Sequence, residues 1–160
     1  MARTLAVQQS RVIPVSVDDA FAGTLPIPLT TVFSRWYGPI GPIKEVRDQH
    51  GEWGIVGQTR TVLLSPTGSF HEELTRLDPP HSFGYVLTDI SGPMALLVGR
   101  ADGEWTFTPT GTGTSGTTVT WRWNIHSRWA LTAPLLPVLG RLWKGYARRS
   151  LEALSAELTR

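Results

Sequence analysis

The chain contains no cysteine among its 160 residues. That single absence removes disulfide bonds, thiolate nucleophiles and iron–sulfur ligation together. Charge is scarce as well: 18% of residues are charged, and 15 Lys and Arg against 13 Asp and Glu leave a formal net charge of +2. The basic residues are scattered except towards the C-terminus, where acids interleave with them. No stripe suited to nucleic acid or an anionic membrane forms, and neither is expected as a partner. Long apolar runs are missing: nothing approaches the ~18 residues that a membrane span needs. The opening MARTLAVQQSRV lacks the apolar centre of an export signal, so a cytoplasmic protein is expected. Walker and G-x-S-x-G sequences are absent. The histidines, His50, His71, His81 and His126, lie far apart without ligand spacing. No metal and no cofactor is expected. The stretch Gly111 to Gly116 (GTGTSG) formally matches G-x-G-x-x-G. A dinucleotide site needs a helix immediately after it, whereas Thr117 to Trp123 is a β-branched and aromatic run, so a hairpin loop is expected.

What is present is a folded globule. A hydrophobic content of 41% over this length implies one domain spanning residues 1–160, with residues 1–10 as a loose leader. The tail from Pro134 to Arg160 has helical period. Leu135, Leu139, Trp143, Tyr146, Ala147, Leu151, Leu154 and Leu158 share one face, and Arg141, Lys144, Arg148, Arg149, Glu152 and Ser155 take the other. Leu139 and Leu154 are expected in the core and Arg148 in solvent. Pro134 and Pro137 suit the first turn, while Gly140 and Gly145 weaken the middle. A helix this long needs a broad sheet to cover its apolar face.

The sheet is legible as period two. Ile13, Val15 and Val17 predict a first strand, with Pro14 marking it as an edge. Two short helices follow: one N-capped by Asp18 and holding Phe21 and Leu25, the other placing Leu29, Val32, Phe33 and Trp36 on one face before Gly38. Further strands are predicted at about 43–49, 57–65, 68–77, 82–90, 100–109 and 117–127, joined by short turns, which makes a seven-stranded antiparallel meander. Alternation assigns Phe70, Glu72 and Leu74, then Phe83, Tyr85 and Leu87, then Trp105 and Phe107, then Val119, Trp121, Trp123 and Ile125 to one face. An aromatic sheet face curling around one helix is an α+β architecture.

Several short pieces carry a resemblance. They are Gly57-x-x-Arg60-x-Val62, Gly68, Glu72-Glu73-Leu74, Asp78-Pro79-Pro80-x-x-Phe83-x-Tyr85 and Gly116-Thr117-x-Val119-Thr120-Trp121. In this order and spacing, followed by the terminal helix, they resemble the START-like (SRPBCC) superfamily over roughly residues 10–158. Within it, the polyketide cyclase/dehydrase and lipid-transport group is the most similar. The resemblance implies a helix-grip fold, a curved sheet gripping the C-terminal helix around a deep apolar cavity. It implies less about chemistry, because carriers and enzymes share that scaffold.

Arg60, Glu72 and Tyr85 are the candidate polar set, all expected on the concave side. One reading makes them a cross-strand ion pair with Tyr85 hydrogen-bonded beside it, fixing register. The other has Arg60 holding a ligand carbonyl or carboxylate while Glu72 or Tyr85 handles protons. The expected ligand contacts are Trp36, Arg60, Phe70, Glu72, Tyr85 and Leu87, with Trp105, Phe107, Trp121, Trp123, Leu139 and Trp143. The function expected is a binding or carrier module for a small hydrophobic or aromatic ligand, as a monomer or homodimer. The alternative is a polyketide aromatase/cyclase working in the same cavity by aldol cyclisation and dehydration.

Overall fold

Alternating residues form strands at each place the period changes to two. A computed structural model describes residues 3–110 and 116–160, and the strands β2 (Ile43–Arg47), β3 (Thr59–Leu64), β4 (Ser69–Asp78), β5 (Ser82–Ser91), β6 (Val98–Pro109) and β7 (Thr117–Ser127) follow one another as an antiparallel meander. The first strand, β1 (Thr4–Ile13), closes the far edge by pairing with β7, from Thr4 opposite His126 to Ile13 opposite Thr117. The order is therefore β1-β7-β6-β5-β4-β3-β2. Register shifts interrupt the β2–β3, β4–β5 and β6–β7 pairings. The Gly111–Gly116 loop falls largely outside the described residues; Gly116 is described, and its carbonyl accepts from Thr110 N.

Three expectations about the N-terminal part need correction. Residues 4–10 are not a leader but most of β1, and Val15 and Val17 lie beyond its end. Only Val7 and Ile13 of this strand are fully buried, so its hydrophobic alternation is broken and its backbone pairing carries it. The cap of α1 (Val17–Thr24) is Ser16, whose hydroxyl accepts from Asp19 N at 3.1 Å, while Asp18 sits in the first turn. The second helix, α2, is a single turn (Leu29–Val32). It stops because the Phe33 carbonyl accepts from Ile43 N at 2.8 Å, which ties the chain to the start of β2. Trp36, expected on the same helical face, consequently falls beyond the helix and is 51% exposed.

The long helix α3 (Leu136–Leu158) lies across the concave face and packs on β1. Trp143, Ala147, Leu151 and Leu154 are buried, and Arg141, Lys144, Arg148 and Arg149 face solvent. Leu135 precedes the helix and is exposed, and Leu139 is only half-buried rather than core. Gly140 and Gly145 have a reason to be small. A Cβ on Gly140 would sit 2.8 Å from Leu5 Cδ2, and one on Gly145 would overlap the Tyr37 ring. The close seating of the helix offsets their poor helix propensity. The outer face of the sheet is polar, with Arg76 paired to Glu104, and with Asp102 bonded to both Arg100 and His126. No helix among the described residues is long and apolar enough to cross a membrane.

Candidate functional site

Between the sheet and α3 the core does not close. It leaves a cavity of about 320 Å³, at the lower end of the ~300–1,000 Å³ typical of small-molecule sites. Its floor is the aromatic sheet face: Phe70 on β4, Leu87 on β5, Trp105 on β6, and Trp121 and Trp123 on β7. Trp143, Leu139 and Leu154 of α3 form the opposite wall. Rings lock against one another here. Trp105 stacks on Trp121 at 5.2 Å between centroids, Trp121 meets Trp143 at 4.8 Å, and Phe33 meets Trp121 at 5.1 Å. The Trp121–Trp143 contact ties the aromatic sheet face to α3.

Arg60 and Glu72 both line the cavity, opposite each other in the β3–β4 register. They form a bidentate pair, Nε to Oε1 and Nη2 to Oε2, each 3.1 Å. Arg60 Nη1 also donates to Gln49 Oε1 at 3.2 Å, and the guanidinium lies 3.8 Å from the centroid of the Trp53 ring. With residue exposures of 5% and 4%, the two charges are buried, mutually neutralised and geometrically committed.

Tyr85 does not hydrogen-bond to this pair. Its hydroxyl oxygen instead accepts from Trp121 Nε1 at 2.7 Å and Trp123 Nε1 at 2.8 Å. The reason is a glycine. Gly103 stands on β6 between Tyr85 on β5 and Trp123 on β7, in register with both. A Cβ there would overlap the Tyr85 ring, so its absence lets the ring lie across β6 and reach the indoles of β7. Burial, and then the charge on Glu72, push the phenol well above its ordinary value, so it stays protonated. Gly103→Ala is expected to displace the ring and cost about 1–3 kcal/mol by overpacking. Urea unfolding together with tryptophan emission reads both effects; an unchanged spectrum would mean the ring does not depend on that gap.

Two expected contacts are elsewhere. Trp36 stands outside the cavity for the reason given above, and Phe107 sits behind it, 6.1 Å from Phe83 and edge-on to Phe21 at 5.5 Å. Sequence reading missed Trp53, which lies between glycines in a turn-like stretch with no period to place it, and Gly103, which has no side chain to attract notice. It also missed Phe33 and Tyr146 as lining residues; both line the cavity and stack at 5.9 Å.

Residues 4–159 match the family described as polyketide cyclase/dehydrase and lipid transport. No curated protein matches the chain in sequence. Among solved structures, norcoclaurine synthase from Thalictrum flavum, a point mutant in complex with a transition-state analogue, superposes with a TM-score of 0.73 at 16% identity, over 99% of this chain and 96% of that one. The same protein in complex with dopamine and hydroxybenzaldehyde gives 0.68 at 16% identity, over 97% and 86%. TTHA0849 from Thermus thermophilus gives 0.72 at 14% identity, over 97% of each chain. These likenesses are to the helix-grip fold. The family match spans nearly the whole chain, and the chain belongs to the polyketide cyclase/dehydrase and lipid-transport family.

Proposed function

We propose that this member of the polyketide cyclase/dehydrase and lipid-transport family binds one small, mainly apolar, ring-bearing molecule between sheet and helix and carries it unchanged. The observation that carries this reading is the lining of the cavity. Aromatic and aliphatic side chains form nearly all of it, and its two charged residues, Arg60 and Glu72, are spent on each other. A carrier needs shape and apolar surface, which are here. Proton abstraction needs a base free to take a proton; among the described lining residues Glu72 is held by Arg60, no histidine is present, and burial raises the Tyr85 and Tyr146 phenols so that both stay protonated. The complex of norcoclaurine synthase with dopamine and hydroxybenzaldehyde, both single-ring aromatics, supports the ligand class through the shared scaffold.

Titration with the neutral apolar fluorophore N-phenyl-1-naphthylamine is expected to saturate at one site and change tryptophan emission. Leu142→Trp, a half-buried lining position on α3, is expected to weaken binding at least ~10-fold, a loss of about 1.4 kcal/mol, while leaving Tm nearly unchanged. Wild-type protein without saturable binding, or the variant binding as well as wild type, would overturn the reading. The family's description favours a second reading, an aromatase/cyclase that positions a reactive poly-β-ketone. It predicts that the protein alters the product distribution from such a chain, whereas a carrier leaves it as in buffer.

A further inference from the structure

Hydrogen-bond satisfaction in the cavity wall leaves an imbalance. An indole N–H can only donate, and a phenol oxygen has room for about two incoming bonds. Trp121 and Trp123 fill both places on Tyr85, so its own proton has to be given away. No acceptor takes it among the described residues. Trp143 Nε1 is also a buried donor without a partner, in a ring that lines the same cavity. Trp143 packs, centroid to centroid, at 4.8 Å on Trp121 and 5.8 Å on Trp123, the two indoles that hold the Tyr85 hydroxyl. A buried donor left unmade is costly, and folded proteins rarely retain two together. Thr24 Oγ1, the other orphaned polar atom on the lining, can donate or accept and makes no selection.

We infer that the Tyr85 hydroxyl and the Trp143 indole N–H form a donor pair that receives a neutral carbonyl oxygen of the bound molecule. The inference rests on the ligand-binding reading above and narrows it to ring-bearing ketones or quinones. A carbonyl oxygen has two lone pairs and no proton, so it completes both donors. A hydrocarbon completes neither. An amine brings donors where donors already stand. A carboxylate enters a wall whose one buried cation among the described residues, Arg60, is already neutralised by Glu72.

The test compares 9-fluorenone with fluorene, two flat tricyclic molecules of nearly equal shape that differ in the carbonyl. Wild-type protein is expected to bind fluorenone about tenfold more tightly than fluorene. The infrared carbonyl stretch of bound fluorenone should fall below its position in cyclohexane. Trp143→Phe is expected to remove most of the preference and raise the stretch. Tyr85→Phe uncovers the Trp121 and Trp123 N–H groups as substitute donors, so it is read by the band alone. An indole is a weaker donor than a phenol, and the stretch should again rise. Equal affinities for the two probes in wild type, an unshifted stretch, or a stretch that neither variant moves would overturn the donor pair while leaving ligand binding intact. Failure of both probes to bind would overturn the binding reading and the donor pair with it.

Discussion

Arg60→Met alone is expected to destabilise the protein by about 3–5 kcal/mol, and Glu72→Leu alone by a similar amount. Each single change leaves one charge buried. Glu72 would lose both of its bonds to Arg60, while Arg60 would keep only Gln49 and the face of Trp53. The double variant Arg60→Met with Glu72→Leu is expected to recover most of the loss, because no charge then remains in the wall and the volumes are close. Urea unfolding of the four proteins gives the coupling. A coupling near zero would mean the pair does not act as a unit. The same four proteins separate architecture from ligand handling. If the pair only frames the cavity, the double variant binds the neutral fluorophore N-phenyl-1-naphthylamine within a few-fold of wild type. A stable double variant that binds nothing would give Arg60 or Glu72 a direct part in holding the ligand.

Leu154→Ala is expected to cost about 2–5 kcal/mol. This side chain is 0% exposed, on the face of α3 that meets the sheet. It also lines the cavity, so truncation enlarges an existing void beside the stacked Trp105 and Trp121 rings. Arg148→Ala, on the exposed face of the same helix, should stay within about 0.5 kcal/mol. Leu139→Ala should fall between them, since Leu139 is half-buried and borders the cavity. Equal losses at positions 148 and 154 would contradict the observed seating of the helix.

These two tests probe parts of the molecule that differed in how well they could be read in advance. The pairing of Arg60 with Glu72 follows from alternation on two strands joined by a short turn, which places both on one face and in register. The role of Tyr85 does not follow in that way. Its hydroxyl is held by residues of β7, two strands away, through a gap left by Gly103 on the strand between. Trp36 shows the opposite failure. Helical spacing from Leu29 is correct as far as Phe33, but a backbone bond from Ile43 ends the helix there.

The amino-acid sequence by itself determined the α+β class, the order of six strands, the concave aromatic face and the terminal helix. Those features are encoded in local periods of two and 3.6, which hold whatever the rest of the chain does. Only the tertiary structure decided that residues 4–13 form the closing edge strand, because that strand is held by backbone bonds to β7 and by the seating of α3 on it, neither of which a broken alternation along the chain records. The tertiary structure also decided which aromatic rings border empty space and which indole is left without an acceptor. Both depend on how far the helix stands from the sheet and on what each side chain meets there, distances that no spacing along the chain records.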